Sequence, residues 1–204
     1  MKRRGKIKKI KNNGIRWRLI EILKKTKRFK FIFCRSEDLF SKKLYLEFML
    51  LNSQLIEENL KDAINRYKNI LDLSFDISLA TKRYCLKVPD FVNKNITLGK
   101  LINVFQEIFK GDGLYKDLKR FNEFRNIIAH QIFNPKINLQ KMNEEITNYV
   151  KKFRVHNLII NLQKFTSHLD ALYFIVLFKK EGESTKEINH FIKEFCELPN
   201  KLSD

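Results

Sequence analysis

Apolar residues recur at intervals of three and four along most of the chain, the spacing of one face of an α-helix. Ser36, followed by Glu37 and Asp38, reads as an N-cap with acids at the positive end of a helix. From that cap the pattern, carried by Leu44, Phe48, Leu55, Leu60, Ile64 and Leu71, predicts a single helix of about 35 residues. A second is predicted from Phe75 to Lys87, stopping before Pro89. Thr97 is placed to cap a third, Leu98 to Lys110, closed by Gly111-Asp112-Gly113. A fourth runs from Leu114 to Phe133, ahead of Pro135. Helical patterning continues from beyond Asn138 to Lys180, as one long helix or two. Ser184-Thr185-Lys186-Glu187 has the form of a capping box opening a last helix to Cys196. The expectation is an all-α bundle.

Composition supports the same class. Only 6 Gly and 3 Pro punctuate 204 residues, too few turn formers for a many-stranded fold. The apolar fraction of 44%, with 18 Phe, is enough for a substantial core.

Charge divides the chain. The net charge is +18, yet residues 1–35 hold 15 bases against one acid, Glu21, while residues 36–204 hold 26 bases and 22 acids. The reading is therefore a basic N-terminal arm, residues 1–35, and a helical domain, residues 36–204. Residues 1–14 have the composition of a disordered tail. Residues 15–34 suit a short amphipathic helix, then an extended piece at 29–34. The arm's Lys2, Arg3, Arg4, Lys6, Lys8, Lys9, Lys11, Arg16 and Arg18 are candidate contacts to a polyanion, with RNA the expected partner. A solubilising tail is the plainer alternative.

Compartment follows from what is missing. Cys34, Cys85 and Cys196 are widely spaced and form no Cys-x-x-Cys pair, as expected of reduced thiols in the cytoplasm. The first apolar stretch is cut by Arg16, Arg18, Glu21, Lys24 and Lys25, so it forms no secretory core. The most apolar run, Leu169 to Phe178, contains Asp170 and falls short of the roughly 20 residues of a membrane span. No membrane insertion is expected.

The predicted fourth helix carries the chemistry. Projected at 3.6 residues per turn, Leu114, Leu118, Phe121, Phe124, Ile128 and Ile132 form an apolar arc. Lys119, Asn122, Glu123, Asn126 and His130 form a polar stripe. Arg125 projects on the apolar side, where a guanidinium needs a partner or an interface, because an unpaired buried charge is costly. Glu47 and Glu57 are the acids available for a purely structural pairing. Asn126 and His130, four apart, face the same way. Arg125 and His130 are roughly 140° apart on an ideal helix. Convergence on one phosphate then requires that Arg125 reach round, that the helix be irregular, or that a second copy complete the site.

Phe-Arg-Asn-Ile-Ile-Ala-His, residues 124–130, resembles the Arg-x4–6-His signature of the HEPN superfamily in its Arg-Asn-x-x-x-His form. Thr97-Leu98-Gly99-Lys100-Leu101-Ile102 and the long preceding helix are similar to HEPN relatives too. The likeness spans residues 36–180. It implies an α-helical bundle that pairs as a homodimer and acts as a metal-independent endoribonuclease, in a toxin or anti-phage defence setting with an antitoxin or defence-complex partner. No cofactor or metal is implied. Carried over, His130 serves as acid and base for attack by a ribose 2′-hydroxyl, Arg125 holds the phosphate, and Asn126 orients His130 or donates to a phosphate oxygen. A binding or scaffold module of the same fold, without catalysis, is the alternative. Ile132 stands where one toxin subgroup has a tyrosine two residues after the histidine, which disfavours a nucleotidyltransferase antitoxin.

Other motifs weigh less. His156 and His168 lack carboxylates or thiols at ligand spacing, and His190, which follows the Ser184 cap, is expected at the surface. Gly99-Lys100 lacks the rest of a P-loop. Trp17, between Arg16 and Arg18, suits either base stacking or anchoring of a short helix.

Overall fold

The computed structural model describes residues 13–78, 96–110, 113–132, 134, 136 and 138–180, and among these it forms six helices and no strand. They are α1 (Asn13–Ser41), α2 (Tyr45–Ser78), α3 (Leu98–Ile108), α4 (Leu114–Ile132), α5 (Leu139–Phe153) and α6 (Val155–Lys180). The all-α class is as the pattern predicts. The chain divides into two units, Met1–Leu44 and Tyr45–Asp204.

In the first unit, α1 runs unbroken through the positions expected to be extended, 29–34, and through Ser36, which is an interior helical residue and not a cap. The two units part at 44/45, just past the end of α1. The cause is local. Lys43 takes the left-handed conformation, with φ 60°. The Lys43 N–H donates to the Phe40 carbonyl at 3.1 Å and the Leu44 N–H to the Leu39 carbonyl at 3.0 Å. These are the paired bonds of a Schellman ending, which satisfy carbonyls that the helix end would otherwise strand. Residues 1–12, with Lys2, Arg3, Arg4, Lys6, Lys8, Lys9 and Lys11, lie outside the described residues, as do the side chains of Arg16, Trp17 and Arg18.

In the second unit α2 and α6 share the most extensive contact. Phe48 meets His156 edge-on, 5.0 Å between centroids, near the start of both helices, and Arg66 pairs with Asp170 further along both. The two helices therefore run parallel. Their core faces are continuous: Phe48, Ile56, Leu60 and Ile64 on α2, and Ile159, Leu162 and Phe174 on α6, are almost wholly buried. Polar residues within the α2 face bond back onto their own helix, as when the Asn52 and Asn59 amides donate to the carbonyls of Phe48 and Leu55 at 2.8 Å. Phe105 and Phe109 meet Tyr67 of α2 and Phe165 of α6 in one aromatic cluster. That cluster seats the C-terminal end of α3 on the α2–α6 pair.

Two ends are capped by side chains. Thr97 accepts from the Lys100 N–H, so α3 opens where the sequence placed it. Asn138 accepts from both the Gln140 and Lys141 N–H groups, at 3.0 and 3.1 Å, and opens α5. Asn138→Ala is expected to cost about 1 kcal/mol, read as a lower urea midpoint at unchanged m-value. The stretch from Asn138 to Lys180 resolves into two helices because Arg154 adopts a left-handed conformation, φ 52°, between them. The predicted helix from Phe75 to Lys87 is met only by the end of α2 at Ser78, and residues 79–95 lie outside the described residues. The helix expected at Ser184–Cys196 lies outside them entirely.

No helix among the described residues is long and apolar enough to cross a membrane. Asp170, which interrupts the most apolar run of the chain, is buried and paired.

Candidate functional site

Helix α4 is held from three sides. Leu118, Phe121 and Ile128 are buried, as the apolar arc predicts. Toward α3, a Cβ at Gly99 would lie 3.3 Å from Asn122 Nδ2, so the missing side chain lets the two helices approach closely. Asn122 thus leaves the predicted polar stripe. Its Oδ1 is buried and takes no hydrogen bond from a described residue.

Toward α5 the contact is aromatic and antiparallel. The Phe124 and Tyr149 rings stack at 3.6 Å and 10°, and Tyr149 stacks in turn on Phe153. The Tyr149 hydroxyl donates to the Arg120 carbonyl at 3.3 Å, and the Gln131 amide donates to Glu145 at 3.4 Å. Phe124 is accordingly a half-buried stacking residue, and Ile132, expected in the core, is 39% exposed.

Burial pushes the Tyr149 phenol above its ordinary range, Arg120 opposing and Asp117 and Glu123 assisting. The unfolded phenol ionises near pH ~10 and the folded one higher. Stability from Tyr149 is therefore intact below about pH 10 and is lost as pH rises through the folded value. Tyr149→Phe is expected to cost about 1 kcal/mol at pH 8 by removing the hydrogen bond. In urea unfolding above pH 10 the gap between the two proteins should close.

On this scaffold the outward face of α4 is a straight stripe: Lys116, Lys119, Arg120, Glu123, Asn126, Ile127 and His130 are all exposed. Ile127 is 52% exposed, the one apolar residue among them. The three candidate residues are arranged around it. Asn126 and His130 lie on the stripe, one turn apart. Arg125 is half-buried at its edge, and its Nη1 donates to Asn126 Oδ1 at 3.3 Å.

Of the three ways to bring Arg125 and His130 toward one phosphate, α4 contains no irregular turn, and Arg125 does reach round toward the exposed side. The structural pairing with α2 is not formed. Glu57 instead binds Lys61 at 2.6 Å, and Arg125 makes no ion pair with a described residue. His130 is exposed, and its ring makes no hydrogen bond to a described residue.

Other sequence candidates fall outside this face. His156 packs against Phe48, and His168 is exposed on α6. Among the described residues no three His, Cys, Asp or Glu side chains form a group that could hold a metal. The buried pair Arg66–Asp170 and the Tyr149 contact are features the sequence reading did not single out. The signal for the first was available: Arg66 projects in line with Phe48, Leu55 and Ile70 on the core face of α2. Comparison of the chain with models of protein families, with curated proteins and with solved structures finds no match to any of them.

Proposed function

We propose that the protein is a metal-independent endoribonuclease of HEPN type, acting through Arg125, Asn126 and His130 on the exposed face of α4. The observation that carries this reading is the Arg125–Asn126 hydrogen bond, which draws the guanidinium toward the side of the helix that presents His130. A single α4 presents these residues on an exposed stripe and at its edge. A second copy laid against it, with Ile127 at the centre of the contact, completes a cleft in which each chain supplies the same three residues.

In that cleft one His130 removes the proton of a ribose 2′-hydroxyl as its oxygen attacks the adjacent phosphorus. The bond to the 5′-oxygen breaks, and the partner copy's histidine returns a proton to that leaving oxygen. The Arg125 guanidiniums take up the charge that builds on the non-bridging phosphate oxygens. The products are a 2′,3′-cyclic phosphate and a 5′-hydroxyl. DNA has no 2′-hydroxyl and is spared.

The test is cleavage of end-labelled RNA in EDTA by the purified full chain and by its Arg125→Ala and His130→Ala variants. Cutting by the parent alone, with cyclic-phosphate ends, is the expected result. No cutting by a folded, dimeric parent would replace this reading with a binding module of the same architecture.

A further inference from the structure

Helix α1 is aromatic on both sides but basic on one. Phe29 and Phe33 stack on each other at 5.9 Å. Phe31, two residues from each, projects about 200° away on an ideal helix. It is 69% exposed, more than any other large apolar side chain described. Its neighbours one turn away, Lys27, Arg28, Cys34 and Arg35, are all exposed. Between residues 20 and 35 the exposed side chains include six bases, Lys24, Lys25, Lys27, Arg28, Lys30 and Arg35. They include one acid, Glu21, which lies 4.0 Å from Lys25.

The chemistry of this face narrows its occupant. A ring ringed by cations is poorly suited to an apolar protein groove, because docking would strip water from the surrounding charges. A helix lying in a membrane interface buries a broad apolar face, and one phenyl ring does not supply it. Duplex RNA keeps its bases stacked inside a groove too narrow for side chains to read. A single strand offers what the face is built to take: an unstacked base for the ring, and flanking phosphates for the bases on either side.

We infer that the outer face of α1 is a binding surface for single-stranded RNA, with a base stacked on Phe31 and the adjoining phosphates held by Lys24, Lys27, Arg28 and Arg35. The choice of RNA over DNA rests on the ribonuclease reading.

The test reads binding with cutting disabled. Full-length protein carrying His130→Ala is titrated against a short fluorescent RNA strand of mixed sequence, against the same RNA as a duplex, and against phosphatidylserine vesicles. Adding Phe31→Ala is expected to weaken single-strand binding about tenfold, in the range that one aromatic stack supplies. The salt dependence should stay unchanged, because stacking releases no counterions, whereas Lys27→Gln with Arg28→Gln should flatten it. Duplex binding should ignore position 31. Equal single-strand affinity with and without Phe31→Ala would overturn the proposal, and so would a Phe31 effect confined to vesicles. A parent that cuts no RNA leaves this measurement intact, so failure of the catalytic reading and failure of this surface are told apart.

Discussion

Truncating Asp170 to alanine is expected to lower the unfolding free energy by about 3–5 kcal/mol. Arg66 and Asp170 are both largely buried, and they join α2 to α6 in the middle of the core. The Arg66 guanidinium also lies over the Tyr173 ring, 4.9 Å from its centroid. Removing the carboxylate leaves a permanently charged guanidinium in an apolar setting, since arginine cannot shed its proton to escape. Arg66→Ala should cost a similar amount for the converse reason. A domain of this size is stable by about 5–15 kcal/mol in all, so either variant would give up a large share of its stability. Replacing both residues together, Arg66→Met with Asp170→Leu, should recover most of the loss, because the expensive state is the unpaired charge and not the missing pair. Urea unfolding followed by circular dichroism decides the matter. Single variants within about 0.5 kcal/mol of the parent, the ordinary range for surface changes, would show that water reaches the pair.

The second large effect is on activity with stability untouched. His130→Ala is expected to slow RNA cleavage by roughly 10²–10⁴-fold, the usual contribution of a positioned acid or base. Arg125→Ala should cost about 10²–10³-fold, as does loss of one group that stabilises transition-state charge. Asn126 touches Arg125, so its role in this scheme is to position the guanidinium. Asn126→Ala should therefore reduce cleavage by itself yet add nothing to Arg125→Ala, the non-additivity expected of residues acting as one unit. Exposed or half-exposed positions cost little to truncate, so all three variants should unfold within about 0.5 kcal/mol of the parent. A stability loss that tracks the activity loss would instead mark these residues as structural.

The contrast between Arg125 and Arg66 shows how far a helical wheel reaches. Both project onto apolar sides of their helices. Arg125 lies at the edge of its arc, where a long side chain swings out to Asn126, and Arg66 lies at the centre of its own, with no way out but a partner. The wheel flags the anomaly. It does not say which distant carboxylate will answer it, since that depends on how two helices far apart in sequence come to lie parallel. Helix ends divide in the same way. Thr97 marks the start of α3 with a side chain that does the capping, and Pro135 follows closely on the end of α4, so those limits are legible. The breaks at Lys43 and Arg154 are not, because the left-handed position in each is filled by a long basic residue where a glycine would have announced it. Ser36 followed by acids imitates a cap well enough to draw the boundary to the wrong turn. At the candidate site, the sequence yields which residues share a face, while the Phe124–Tyr149 stack that steadies that face is a pairing between helices and leaves no periodic trace.

The parallel pairing of α2 with α6 also sets the order in which the domain can be completed during synthesis. Between the end of α2 and the end of α6 about a hundred residues must be made, which takes roughly 5–20 s at a translation rate of ~5–20 residues per second. Throughout that interval the face bearing Phe48, Ile56, Leu60 and Ile64 is without its main partner. The α3–α4 and α4–α5 neighbours can pair as they emerge, and α3 can settle on α2, but the part of the α2 face that α6 covers must wait. The nascent chain thus carries a partly uncovered apolar helix while about a hundred further residues are made, and its yield in the cell should depend on holding chaperones more than the stability of the finished bundle would suggest.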